Sequence, residues 1–244
     1  MLAGRYLINF RYFWFVFNVL FWTIFFASLG IVVSLFEWRG KFMSWVAKTW
    51  SKLLLKIGGI DYKVVGLSNL DPNGNYIFAA NHESGLDIPL VFAGLPYHIV
   101  AIAKIELKRI PIFGWSMIAG GHFFVDRKNK IKALKSLSIA KKSMAKNPRS
   151  IIIYPEGTRS KDGEIGLFKK GGFVLAMEMN LPVVPIALCG TFESFGKNKM
   201  TFNKNNLELR IGKPFQTDSL SYENRNQFAD QVRNEVIKLK SPSI

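Results

Sequence analysis

A long apolar run near the start divides the chain into two unlike parts. Residues 12–36, YFWFVFNVLFWTIFFASLGIVVSLF, contain no charged side chain. A helix rises about 1.5 Å per residue, so this run could cross a hydrocarbon layer about 30 Å thick. It also exceeds the roughly 7 to 15 residues that are usual in the apolar region of a signal peptide. The pattern predicts a membrane-embedded helix, which either spans the bilayer or forms half of a hairpin that dips into one leaflet.

The next segment, residues 42–59, has the pattern of an amphipathic helix. Lys48, Lys52 and Lys56 recur every four residues, and two glycines, Gly58 and Gly59, end the pattern. Apolar residues occupy the other faces: Trp45, Val46, Trp50, Leu53, Leu54 and Ile57. Tryptophan and long lysine side chains suit the headgroup layer of a membrane, which predicts an interfacial helix. The alternative is a helix that packs on a globular core.

After Gly59 short apolar runs alternate with helical patterns. The predicted strands contain YKVV, YIFAA, HIVAIA, HFFV, SIII, PVVPIAL and LELRIG, and helices are predicted near IPLVF, over 128–148 and 168–179, and at the C-terminus. This alternation predicts an α/β fold with a mostly parallel central sheet flanked by helices. We therefore expect a membrane-embedded and interfacial two-helix segment over residues 1–60 and an α/β domain over residues 61–244.

Charge and composition narrow the range of partners. The 33 lysines and arginines exceed the 17 acidic residues and give a formal charge of +16, which favours nucleic acid, an anionic bilayer or phosphorylated ligands. The 21 phenylalanines and 6 tryptophans crowd toward the N-terminus, which favours the membrane over nucleic acid. Basic residues starting at Arg39 and Lys41 follow the apolar run, so the positive-inside bias places the α/β domain on the cytoplasmic face.

Two further features of composition bear on chemistry. The predicted helix near residues 128–148 contains seven lysines and no acid, so it is either a solvated face or a surface that meets anionic lipid or an acidic carrier protein. A single cysteine, Cys189, excludes an internal disulfide and a cysteine-rich metal site. We expect no metal ion and no cofactor.

The heptapeptide NHESGLD, residues 81–87, follows the predicted strand YIFAA. Asp87 could hold one imidazole nitrogen of His82 and leave the other free as a general base. Alternatively, Asp87 caps the next helix, in whose first turn Pro89 lies, and His82 only completes the turn. Because the G-x-S-x-G string of α/β serine hydrolases does not occur, Ser84 is not expected to be a nucleophile, and direct attack by an external hydroxyl is preferred.

Other charged groups follow neighbouring predicted strands. The turn YPEGTRS contains Glu156, Gly157, Thr158 and Arg159, a kind of turn whose amides and guanidinium can hold a phosphate. Two more cations, Arg127 and Lys104, lie at the ends of other predicted strands. The three cations predict a phosphate pocket, and the alternative is a set of unrelated surface charges.

In four of its motifs the chain resembles the glycerolipid acyltransferases. NHESGLD is similar to the NHxxxxD block of that family, Gly121 with FFVDR to the second block, YPEGTRS to the third, and VPIAL with Pro185 to the fourth. The blocks occur in the family's order and cover residues 60–215. Tyr154 departs from the pattern, because a phenylalanine is common at its position.

The resemblance implies transfer of an acyl group from CoA or acyl carrier protein to the free hydroxyl of lysophosphatidate, which gives phosphatidate. It implies His82 as the general base, Asp87 as its orienting residue, the third block (Glu156, Gly157, Arg159) in acceptor binding, and a structural or acyl-pocket role for Pro185. Anionic membrane lipids are the expected surroundings and the inner membrane the expected location. The alternatives are a related acyltransferase with another acceptor, such as glycerol 3-phosphate, another lysophospholipid or a lipid A precursor, and a non-catalytic basic membrane adaptor.

Overall fold

The computed structural model describes residues 2–37, 40–197 and 200–241, and the side chains of residues 2–9, 130 and 134 are left aside. Arg39, one of the basic residues that set the predicted orientation, lies outside the described residues. Within these ranges the chain forms eight α-helices and seven β-strands. The helices are α1 Leu2–Ser34, α2 Lys41–Ile57, α3 Asp87–Gly94, α4 Phe113–Ala119, α5 Lys130–Lys146, α6 Gly171–Met179, α7 Thr191–Phe195 and α8 Arg225–Lys240. The strands are β1 Tyr62–Val65, β2 Ile77–Ala80, β3 Ile99–Lys104, β4 Phe123–Val125, β5 Ser150–Ile153, β6 Val183–Cys189 and β7 Leu207–Ile211.

All seven strands form one sheet in the order β1-β7-β6-β2-β5-β3-β4. Every pair is parallel except β6 with β7, which is antiparallel. Every residue of β2 and β5 is buried, as expected for parallel strands covered by helices on both faces. The predicted mostly parallel α/β fold is confirmed.

The first two helices pack against each other and against the sheet domain. Helix α1 contacts α2 and α4, and α2 also contacts α3. Phe15 of α1 stacks on Phe202 with ring centroids 4.2 Å apart, and Leu55 of α2 lies in the same apolar core as β2. One face of α2 therefore packs on the globular core, as in the alternative stated above, whereas Trp45 on another face is exposed.

Segment Phe10–Ser34 of α1 is long and apolar enough to cross a membrane. Much of its apolar surface is exposed in the protein: Phe10, Phe13, Trp14, Phe17, Leu20, Phe21, Ile24, Phe25 and Val32. An exposed apolar surface of this extent indicates an interaction site for lipid or protein. The division of the chain at residue 60 stays a prediction.

Element boundaries differ from the predicted ones in a few places. Helix α6 begins at Gly171 rather than near Phe168, because Lys169 N–H bonds back to the carbonyl of Pro155 and holds residues before 171 in a loop. The short helices α4 and α7 were not predicted, since five to seven residues give too few turns for a periodic pattern. Helix α2 ends as predicted, and Gly59 adopts a φ of 63° that suits glycine there.

Candidate active site

His82 and Asp87 meet at the carboxyl end of β2, the middle strand of the sheet. His82 Nδ1 lies 2.7 Å from Asp87 Oδ2. Asp87 is fully buried, whereas 20% of the His82 side chain is exposed. The same Oδ2 accepts the backbone N–H groups of Glu83 at 2.7 Å and Ser84 at 2.8 Å. With an acceptor carboxylate on Nδ1, the ring carries its proton there, and Nε2 is free to take a proton from a ligand.

The helix-cap alternative for Asp87 is wrong. Asp87 is the first residue of α3, and the N-cap position belongs to Leu86, which makes no side-chain cap. The carboxylate accepts its amide bonds from the loop that precedes it, at residues 83 and 84, rather than from the following helical turn. Its position at the helix N-terminus still favours the negative charge.

Ser84 is buried and fully engaged in the loop. Its hydroxyl donates to the carbonyl of Phe195 at 2.7 Å and accepts the N–H of Leu86 at 3.0 Å. A backbone bridge also joins Ser84 to Gly196. These contacts describe a structural serine that ties the His82 loop to the segment after α7.

Glu156 holds the backbone of His82. One carboxylate oxygen accepts the N–H of His82 at 2.8 Å, and the other accepts the N–H of Gly166 at 3.0 Å. The carbonyl of His82 accepts the N–H of Ser160 at 2.7 Å. Burial raises the pKa of Glu156, although the two amides oppose this effect. Both oxygens serve the protein's own amides, so the geometry favours positioning of His82 over direct contact with an acceptor.

Tyr154 stacks on the imidazole of His82, with ring centroids 4.2 Å apart and planes at 28°. Burial raises the pKa of the Tyr154 hydroxyl well above its usual value, and the negative charge of Asp87 adds to this effect. Among the described residues neither the Tyr154 hydroxyl nor Asp87 Oδ1 has a hydrogen-bond partner. The Tyr154 ring therefore fixes the plane of the His82 imidazole, and the sequence did not indicate this contact.

The turn after β5 gathers cations around its backbone. Gly157 adopts a φ of 78°, and a Cβ there would stand 2.7 Å from Lys169 Nζ. The Arg127 guanidinium donates to the carbonyl of Gly157, which joins the end of β4 to this turn. Lys104 ends β3 beside Val125 of β4, but its ammonium pairs with Glu106 at 3.3 Å. The structure thus brings Arg127 to the turn and directs Lys104 toward an acid.

Arg159 lies against the loop that contains His82 and Asp87. A Cβ added at Gly85 would stand 4.0 Å from a terminal nitrogen of Arg159. A surface depression of about 450 Å³ lies over the turn and is lined in part by Thr158, Arg159 and Lys197. Lys197 Nζ lies 3.3 Å from both the Thr158 hydroxyl and the Arg159 carbonyl. No sequence pattern indicates Lys197, because it follows no predicted strand.

Pro185 lies inside the sheet rather than at the carboxyl ends of the strands. It pairs with Ala79 in the parallel register of β6 and β2, and its carbonyl accepts the N–H of Gly212.

In the part of the chain that the structure describes, no three histidine, cysteine, aspartate or glutamate side chains form a group suited to a metal ion.

The fold and this geometry together define an α/β protein with a carboxylate-held histidine at the edge of a mostly parallel sheet and a cation-rich turn after the neighbouring strand. The family model described as Acyltransferase matches residues 61–189. This match covers more than half of the chain, and the chain belongs to the acyltransferase family.

Curated relatives and a solved structure agree with this assignment. The 1-acyl-sn-glycerol-3-phosphate acyltransferase of Saccharomyces cerevisiae is 36% identical over 188 residues, which cover 76% of this chain and 61% of the yeast protein. The protein of that name from Cocos nucifera is 34% identical over 66% of this chain and 52% of its own length. The chain thus spans half to three fifths of these two relatives.

The solved structure matches over nearly the whole length. The crystal structure of the 1-acyl-sn-glycerophosphate (LPA) acyltransferase PlsC from Thermotoga maritima has a TM-score of 0.81 and 26% identity. The match covers 98% of this chain and 99% of that one. Helices α1 and α2 therefore have counterparts in that structure, together with the sheet domain.

Proposed function

We propose that this protein transfers an acyl chain from a thioester to the 2-hydroxyl of 1-acyl-sn-glycerol 3-phosphate and so forms phosphatidate. The observation that supports this most is the His82–Asp87 pair, at 2.7 Å, beside a turn that contains Arg159. The names of the relatives agree with the same reaction.

His82 acts as the general base in this proposal. Its Nε2 takes the proton of the acceptor hydroxyl as the oxygen attacks the thioester carbonyl. The tetrahedral intermediate then collapses, the carbon–sulfur bond breaks, and the imidazolium gives the proton to the leaving thiolate. Asp87 holds Nδ1–H throughout and stabilises the positive ring. A thioester is already activated, so orientation of the two substrates supplies much of the rate.

The acceptor phosphate binds to the turn after β5. Arg159 offers a planar fork of donors that matches phosphate, and Thr158 and Lys197 border the same depression. Arg127 stabilises the turn through the carbonyl of Gly157, and Gly157 lets the backbone take that conformation. Lys104 ends β3 and pairs with Glu106, and Glu156 acts through the backbone of His82.

The exposed apolar face of α1 supports a membrane location for this reaction. Acceptor and product are lipids, so an active site at the interface avoids their transfer through water. We propose that α1 lies in the inner membrane among anionic lipids, with the sheet domain on the cytoplasmic face. Neither a cofactor nor nucleic acid enters this proposal, and the donor is acyl-CoA or acyl carrier protein.

A reconstituted assay tests the reaction. Full-length protein in mixed micelles is given palmitoyl-CoA or palmitoyl acyl carrier protein with 1-oleoyl lysophosphatidate, glycerol 3-phosphate or 1-oleoyl lysophosphatidylcholine. We expect phosphatidate from lysophosphatidate in the native protein and none from His82→Ala. Turnover of another acceptor alone would replace the proposed substrate. Retention of full activity in His82→Ala would overturn the proposed mechanism.

A further inference from the structure

The C-terminal helix α8 reaches the loop that contains His82 from the far end of the sequence. Lys240, the last residue of α8, donates to the carboxylate of Glu83, the neighbour of His82. Building on the acyl transfer proposed above, we propose that Lys240 is a positioning residue of this loop and acts through Glu83. Helix α8 lies beyond residues 61–189, the part that the family model matches.

The side chain, the N–H and the carbonyl of Glu83 all make hydrogen bonds in or near the loop. It is 1% exposed, its carboxylate also accepts the side-chain amide of Asn81 at 2.8 Å, and its N–H donates to Asp87 Oδ2. The carbonyl of Glu83 accepts the N–H of Lys197 at 3.3 Å. Movement of the Glu83 side chain would therefore shift the N–H that holds Asp87, and Asp87 in turn holds His82.

The Lys240–Glu83 pair fits a role in geometry rather than in stability alone. A buried ion pair adds little net stability, because removing the charges from water offsets their attraction. Removing one partner, however, leaves an uncompensated charge. Here the partner that stays would be Glu83, which directly follows His82 and whose carboxylate accepts the side-chain amide of Asn81. Asn81 is itself fixed by two bonds to the backbone of Leu188 in β6.

Helix α8 also contacts the loop of residues 163–166, which binds Glu156, the residue that accepts the N–H of His82. Lys240 Nζ donates to the carbonyl of Gly163 at 2.6 Å, and Arg233 donates to the carbonyls of Ile165 and Gly166 at 2.6 and 2.8 Å. Gly166 N–H binds Glu156, whose other oxygen binds the N–H of His82. Two cationic side chains of α8 thus contact both groups that hold His82, the Glu83 carboxylate and the loop that binds Glu156.

The end of α8 is itself fixed. Arg210 of β7 donates to the carbonyls of Leu239 and Ser241 at 2.9 and 2.8 Å. Val232 and Val236 of the same helix are fully buried in the core beside β6. Lys240 therefore extends from a rigid base, as a positioning role requires.

A double-mutant cycle tests the proposal in the full-length protein. The variants are Lys240→Met, Glu83→Gln and both together, and Lys238→Met is the control. Lys238 lies on the same helix, is 75% exposed and pairs only with Glu235 in the described structure. We expect Lys240→Met to lower kcat at least tenfold with the KM of both substrates within twofold, and Lys238→Met to match the native protein.

The cycle also separates action through Glu83 from any other effect. If Lys240 acts through Glu83, the double variant loses no more kcat than the worse single variant. The proposal would be overturned if the kcat losses of the two single variants multiply in the double variant. It would also be overturned if the kcat of Lys240→Met stays within twofold of native. Should Lys240→Met not fold, Glu83→Gln decides: it keeps the volume and the Asn81 contact, and a kcat within twofold of native overturns the proposal.

A spectroscopic measurement separates this inference from the proposed reaction. The chain has three histidines, so ¹⁵N-histidine labelling gives few signals, and His82→Ala assigns that of His82. We expect Lys240→Met to change the ring ¹⁵N shifts of His82 and Lys238→Met to leave them unchanged. If the native protein transfers no acyl group, the proposed function fails, and these shifts still decide the role of Lys240.

Discussion

Asp87 orients His82 with the same carboxylate oxygen that closes the loop between them. Oδ2 lies 2.7 Å from His82 Nδ1 and accepts the N–H groups of Glu83 and Ser84. Three donors converge on one buried oxygen, so the conformation of the loop and the direction of the imidazole are set by one group. A helix cap would not impose this coupling.

Replacement of Asp87 by asparagine separates hydrogen bonding from charge. The asparagine oxygen can still accept the loop amides and Nδ1–H, but it carries no negative charge to stabilise the imidazolium. We expect kcat to fall roughly 10²- to 10⁴-fold, the usual share of general-base catalysis, with the fold intact. Steady-state kinetics and circular dichroism check this, with Asp230→Asn on the surface of α8 as the control. A kcat within threefold of native would contradict the assignment of Asp87.

Ser84→Ala tests whether the serine of the heptapeptide has a chemical role. The change removes a donor to the Phe195 carbonyl and an acceptor for Leu86 N–H, so we expect a loss of about 1–3 kcal/mol in the free energy of unfolding. Turnover per folded molecule should stay within a few-fold of native. Intact-protein mass spectrometry during turnover should find no acyl-enzyme, and an acyl group on Ser84 would refute direct transfer.

Arg159→Ala tests the phosphate site. Loss of the guanidinium should raise the KM for lysophosphatidate roughly 10- to 100-fold at saturating donor and change the KM for the thioester little. Arg159→Lys keeps the charge without the planar fork and should fall between the native protein and Arg159→Ala. Equal effects on both substrates would contradict a role in acceptor binding.

His122 makes stability depend on pH. Burial, with Arg149 and His98 nearby, lowers the pKa of His122 to about 4, and its Nδ1 accepts the N–H of Ala101 at 2.8 Å. In the unfolded chain a histidine titrates near 6.5, so between about pH 6.5 and 4 the unfolded state binds more protons. The free energy of unfolding should therefore fall by about 3 kcal/mol as the pH falls through this window.

The variant His122→Asn isolates this contribution. Its Oδ1 can accept the same N–H but does not titrate, so thermal unfolding in detergent should depend less on pH than in the native protein. Some dependence should remain, because the pKa of His98 is also lowered to about 4, mainly by burial. Identical pH profiles for the two proteins would show that His122 is not responsible.

The sequence predicted the framework of the site because the positions of the strands and their ends follow from local patterns. His82 and Asp87 follow the apolar run of β2, and the turn with Arg159 follows the run of β5. Since β2 and β5 are adjacent and parallel, their carboxyl ends meet at one edge of the sheet. The antiparallel pairing of β6 and β7 was not apparent, because the run of β7 resembles that of a parallel strand.

The contacts that support His82 were beyond sequence reasoning. Glu83 and Lys240 are 157 positions apart, and no periodicity connects them. In the sequence Tyr154 shows only as a departure from the phenylalanine common at its position, and its stacking on His82 depends on how closely β2 and β5 approach. The motif predicts that Glu156 binds the acceptor, whereas its hydrogen bonds go to His82 and Gly166.

The pairing of β1 with β7 sets an order of events during synthesis on the ribosome. In the described sheet β1 lies at the edge and has β7 as its neighbour, with Tyr62 beside Leu207. Helices α1 and α2 and strand β1 therefore emerge long before the strand that completes their side of the sheet. If α1 inserts into the bilayer as it emerges, β1 lacks its neighbour in the sheet until β7 and α8 have been synthesised.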